Sequence, residues 1–157
     1  MNSIRPISEG KKVPSFNTTS DLGETFSSTK LLGTRYLIYF YPRDNTPGCS
    51  AQACGFRDEY DEFKKKNILI IGISGGNQKS HEKFRTKYNL PFPLLLDEDY
   101  KIAKAFGVYG KKKFMGKVFE GIHRISFLIN STGTIEKTYL KVKAKSHPIE
   151  VLNELEV

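Results

Sequence analysis

The chain is expected to fold as an α/β domain with a central mixed sheet covered by helices on both faces. Two wholly apolar runs, Tyr36 to Tyr41 and Ile68 to Ser74, suit strands buried on both sides. Each is followed by a longer segment with helical spacing, so strand and helix alternate. Near the end, Arg124 to Asn130 and Thr134 to Val142 read as two strands joined as a hairpin by Ser131-Thr132-Gly133. With 157 residues and 38% hydrophobic content, one domain spanning 1–157 has enough material for a core, and no repeat or low-complexity segment divides it.

The opening from Met1 to Lys12 is polar and contains Glu9, unlike a signal or transit peptide. No later run approaches the ~18 apolar residues of a membrane span. The expectation is a soluble cytoplasmic protein with no membrane partner. After the first strand, Thr46 supplies an N-cap and Pro47 the first helical residue, where a missing N–H costs nothing. The helix is expected to continue to Lys66. Cys49 falls in its first turn, where unpaired backbone N–H groups and the positive end of the dipole favour a thiolate. Cys49, Ala53, Phe56, Tyr60 and Phe63 recur at helical spacing, so this sulfur faces inward. Cys54 is rotated by roughly 140° and faces out.

After Ile68 to Ser74, Gly75-Gly76 ends the strand and Asn77 to Tyr88 reads as a helix with Phe84 and Tyr88 inward. Pro91 and Pro93 break it. Leu94 to Leu96 is a short strand, Tyr100 to Phe106 a brief helix, and a lysine-rich loop follows. Pro148 opens a last helix carrying Ile149, Leu152 and Leu155.

The formal net charge is +8, with lysines clustered at 64–66, at 111–113, and at Lys141, Lys143 and Lys145. These places, a helix end, a loop and one face of a late strand, are where lysines are solvated, and no nucleic-acid recognition motif accompanies them. Gly110 to Val118 has one residue too many for a P-loop and Val118 where a magnesium-binding hydroxyl belongs. His81, His123 and His147 are scattered and neither cysteine has zinc-site spacing, so no metal or cofactor is expected. His81 and His147 read as residues near helix starts. A Cys49–His123 nucleophilic pair stays open, although hydrolase chemistry leaves Cys54 without a role. Four residues separate the cysteines where a thioredoxin-type dithiol has two.

The run Pro42-x-x-x-Thr46-x-x-Cys49 resembles the peroxiredoxin active-site signature. Cys54 within Gln-Ala-Cys-Gly-Phe-Arg-Asp resembles the bacterioferritin comigratory protein, or Q-type, branch. Phe114-Met115-Gly116-Lys117 and Gly121-Ile122-His123-Arg124-Ile125-Ser126-Phe127 extend the likeness over nearly the whole chain. Ser15 and Asn130 stand where aspartates are expected, outside the pocket motif. The resemblance implies a thioredoxin-like fold and reduction of hydroperoxides, with thioredoxin, or alternatively glutaredoxin, as reductant and often as a monomer. It implies Cys49 as the peroxidatic cysteine, Cys54 as the resolving one, and Pro42, Thr46 and Arg124 as the remaining pocket positions.

These roles are chemically coherent. Thiolate attack on a peroxide builds negative charge on the departing oxygen, which needs fixed donors. Arg124 offers a permanently charged, rigid fork; Thr46 and the Cys49 N–H can donate, and Pro42 can exclude water. Other readings are a general thiol–disulfide oxidoreductase and a redox-switched nucleic-acid-binding protein.

Overall fold

The computed structural model describes residues 4–155; the start of the polar opening segment and the last two residues lie outside it. A five-stranded sheet forms the centre, in the order β5-β4-β3-β8-β9. Its members are β3 (Arg35–Phe40), β4 (Ile68–Ser74), β5 (Leu94–Leu96), β8 (Ile125–Ile129) and β9 (Ile135–Tyr139). Strands β3, β4 and β5 are parallel, whereas β8 runs antiparallel to β3 and β9 antiparallel to β8, so the sheet is mixed.

The alternation of side chains along β3 creates two cores. Tyr36, Ile38 and Phe40 face one side with Ile71, Ile73, Phe106 and Phe127, beneath α4 (Lys101–Ala105) and the N-terminal segment with Phe16. Leu37, Tyr39 and Tyr41 face the other with Cys49, Phe56, Phe63, Phe84 and Val151. These come from α1 (Pro47–Asp58), α2 (Tyr60–Lys65), α3 (Gln78–Tyr88) and α5 (His147–Leu155). Helices therefore cover both faces, as expected. No helix among the described residues is long and apolar enough to cross a membrane.

Several expectations need correction. The helix expected to reach Lys66 is broken at Glu59, whose backbone (φ −100°, ψ 7°) redirects the chain into α2. No proline or glycine stands at the break; the bend carries Phe63 to the sheet beside Ile68 and Ile70, a demand of packing rather than of propensity. The lysine-rich loop is a hairpin of β6 (Tyr109–Phe114) and β7 (Lys117–Ile122). Met115 (φ 50°) and Gly116 (φ 80°) make its two-residue turn, and both need the positive φ of a primed turn. Methionine in place of asparagine and a run of lysines in place of alternation concealed it. Lys141, Lys143 and Lys145 lie beyond β9, because the β8–β9 ladder stops at Ser126 opposite Tyr139. Of the apolar residues of α5, Ile149 is exposed, and Val151 joins Leu152 on the buried side. A small hairpin, β1 (Asn17–Thr19) with β2 (Thr25–Ser27), was not anticipated.

The substituted positions are quiet. Ser15 is exposed, and Asn130 Oδ1 accepts from the backbone N–H groups of Thr132 and Thr134, holding the β8–β9 turn as an aspartate would.

Candidate active site

Topology brings distant residues to one sheet edge. Phe40 at the end of β3 pairs with Ile125 at the start of antiparallel β8, so Arg124 stands beside the point where the chain leaves the sheet for Pro42. Pro42 is half-buried in the bend that follows, and the chain then turns through Asn45, which has positive φ (58°), into Thr46. Thr46 is extended (φ −94°, ψ 155°) and Pro47 is the first helical residue. The Thr46 hydroxyl does not cap the helix as expected. It donates back to the Arg43 carbonyl at 3.2 Å, while the Thr46 carbonyl accepts the Ser50 N–H. No acidic residue occupies the first turn, so no carboxylate competes for the positive helix end.

Cys49 is 1% exposed. Arg124 Nη2 lies 3.4 Å from its Sγ, and Arg124 Nη1 donates to Gln52 Oε1 at 2.7 Å. Gln52, fully buried one turn beyond Cys49, aligns the guanidinium along the start of α1. Gly48 makes this approach possible: a Cβ there would sit 3.0 Å from Arg124 Nη2. A charged donor and a helix N-terminus thus converge on one sulfur.

Further groups that the sequence reading missed surround this centre. Lys112 of β6 is half-buried and donates Nζ to the Ile122 carbonyl at 2.9 Å. Burial, then the charge of Arg124, lowers its pKa, against an upward pull from Cys49. The phenol of Tyr39, buried and stacked 4.7 Å from Phe56, is pushed well above its ordinary pKa by burial and then by Cys49 and Asp44. Gln52 was legible at i+3 from Cys49; Lys112 and Tyr39 required the fold.

His123 is not brought to Cys49. Its Nε2 is 3.0 Å from the Lys111 carbonyl, and burial lowers its pKa. Cys54 is half-exposed on the same unbroken α1, and both thiols are free. Gly55, next to it, meets α5: a Cβ there would lie 2.9 Å from Pro148 Cγ. Gly48 and Gly55 therefore serve close packing of the intact helix. Among the described residues no three histidine, cysteine, aspartate or glutamate side chains gather as a metal site requires.

The AhpC/TSA family profile matches residues 9–138. The chain is 44% identical over 152 residues to Peroxiredoxin Bcp of Escherichia coli (strain K12), covering 97% of each chain. It is 44% identical over 149 residues to Peroxiredoxin Bcp of Bacillus subtilis (strain 168), covering 95% of each. The fold superposes on the crystal structure of a cysteine-to-serine mutant of PrxQ from Xylella fastidiosa with a TM-score of 0.89, at 30% identity and 97% coverage of both chains.

Proposed function

The chain belongs to the AhpC/TSA family as a peroxiredoxin of the Bcp or Q type, a thiol-dependent peroxidase, and on that premise we propose that Cys49 is its peroxidatic cysteine. The observation that carries this reading is Arg124 Nη2 at 3.4 Å from the Cys49 sulfur at the start of α1. The thiolate attacks one peroxide oxygen, the O–O bond breaks, and Cys49 becomes a sulfenic acid while the other oxygen leaves as hydroxide or alkoxide, which takes a proton from solvent to become water or an alcohol. Arg124 and the first-turn N–H groups face the charge that develops on the departing oxygen. The Thr46 hydroxyl has only to turn from the Arg43 carbonyl to join them, and Pro42 limits water at the sulfur.

Cys54 then condenses with the sulfenic acid, releasing water and forming an intramolecular disulfide. On an ideal helix the two Cα atoms are roughly 8.6 Å apart, beyond the ~7 Å that disulfides tolerate. The start of α1 must therefore unwind, breaking the Gly48–Arg124 and Gly55–Pro148 approaches. Thioredoxin returns the exposed disulfide to the dithiol in a monomeric cytoplasmic enzyme of antioxidant defence.

One equivalent of hydrogen peroxide, followed by mass spectrometry, tests the scheme. The wild type is expected to lose two hydrogens as a Cys49–Cys54 disulfide, and Cys54→Ser to gain one oxygen on Cys49. Hydrogen exchange over residues 49–57 is expected to be faster in the disulfide form; equal protection in both forms would exclude the unwinding.

A further inference from the structure

A second buried polar cluster meets the loop between Pro42 and Thr46. Asp44 Oδ1 accepts from the Tyr41 hydroxyl at 2.7 Å, and Asp44 Oδ2 from Ser80 Oγ and His81 Nδ1, each at 2.6 Å. The side chains of Asp44 and His81 are 4% and 0% exposed. His81 Nε2 lies 3.0 Å from the Leu95 carbonyl of β5, so both ring nitrogens face oxygen atoms of neighbouring elements. The cluster thus ties the loop to α3 and β5 at once. Gly76 makes room for it: a Cβ there would stand 2.7 Å from Asp44 Oδ2 and 3.1 Å from His81 Nδ1.

A buried carboxylate–histidine contact is a weak source of stability, since withdrawing such groups from water offsets much of what their pairing returns. What the three donors on one carboxylate supply is a single geometry. Asp44 is two residues from Pro42 and two from Thr46. The other side-chain tie between this loop and α3, Asn45 Oδ1 accepting from Lys87 Nζ at 3.1 Å and the Tyr88 hydroxyl at 3.3 Å, is exposed and longer. We propose that Asp44 and His81 are a positioning pair that holds Pro42 and Thr46 over Cys49, setting how well the site receives a peroxide while leaving the thiolate itself to Arg124 and the helix.

This rests on the assignment of Thr46 and Pro42 to the peroxide site, and the test separates the two ideas. Stopped-flow oxidation of Cys49 by hydrogen peroxide is compared with its alkylation by iodoacetamide, which needs the thiolate but not the peroxide donors. Misplacing a reacting group by about 1 Å can cost on the order of 100-fold. Asp44→Asn is therefore expected to slow peroxide oxidation about 10- to 100-fold with alkylation within about twofold of wild type. Ser80→Ala removes one donor and keeps the buried pair, so it should show the same split more weakly, about two- to fivefold, and decides the matter if Asp44→Asn does not fold. Gly76→Ala, pressing on the pair from outside, should resemble Asp44→Asn. Unchanged peroxide rates in these variants, or peroxide and alkylation rates that move together, would overturn the positioning role. A wild-type protein that does not consume peroxide would overturn the site assignment beneath it.

Discussion

The segment from Tyr41 to Gln52 contributes to two polar clusters that differ in how fully their groups are satisfied. Around Asp44, a carboxylate takes three hydrogen bonds and the histidine beside it has an acceptor at each nitrogen. Burial raises the Asp44 pKa, but the His81 hydrogen bond and charge, with Ser80 and Tyr41, outweigh it and leave the group below its usual value. Around Cys49, Arg124 reaches a weakly accepting sulfur at 3.4 Å, and the buried Gln52 Nε2, Ser50 Oγ and Tyr39 hydroxyl have no partner among the described residues. A saturated cluster holds one geometry. An undersatisfied one keeps donors free for a reacting ligand and can be dismantled at lower cost, as the proposed Cys49–Cys54 disulfide would demand.

The largest expected effect comes from removing the sulfur. Cys49→Ser should abolish peroxide reduction in a coupled assay, because a serine hydroxyl is not ionised near neutral pH, and the fold should survive. Retained turnover would erase the distinction between the clusters.

Stability should separate them next. Asp44→Ala leaves His81 buried without its carboxylate and should cost about 3–5 kcal/mol in urea unfolding. Arg124→Ala leaves Gln52 Oε1 without its donor and should cost about 1–3 kcal/mol. If Arg124→Ala proves the more destabilising, the reactive cluster is also the structural one.

Arg124→Lys keeps the charge but loses the planar fork that spans Cys49 and Gln52. The rate of thiolate oxidation should fall about tenfold or more with little change in unfolding midpoint. A near-normal rate would reduce Arg124 to a charge whose direction is irrelevant.

The last effect, spread over a range of pH and small near neutrality, comes from a third buried group. His147 lies 2.9 Å from Ser126 Oγ with its ring edge-on to Phe56, and burial pushes its pKa down to about 4 from 6.5. The folded protein therefore holds it neutral while the unfolded chain protonates first, so stability should decline as pH falls from about 6.5 toward 4. The Asp44 contribution is present above its unfolded pKa of 3.8 and fades only below it, which keeps the two windows apart. Urea midpoints for wild type and His147→Gln across this range should show a steeper slope in the wild type, the remainder coming from His123, whose pKa burial also lowers.

By itself the sequence determined the features governed by neighbours along the chain. The continuous apolar run Ile68–Ser74 is strand β4 as read, Asn77 caps α3 through the Ser80 N–H, and Thr46-Pro47 starts α1 two residues before Cys49. The inward turn of Cys49 followed from the same 3.6-residue period that buries Ala53 and Phe56. Tertiary structure decided what depends on partners far away in sequence. The antiparallel pairing of β3 with β8 brings Arg124 to a sulfur 75 positions earlier, and the parallel stacking of β3, β4 and β5 brings His81 and the Leu95 carbonyl to Asp44. Packing also overrode local signals, bending an unbroken helical pattern at Glu59 and pairing a lysine run as β6. Periodicity encodes which face of an element is buried, whereas the neighbour that face meets follows from sheet order and close approach, at Gly48 beneath Arg124 and at Gly76 beneath Asp44.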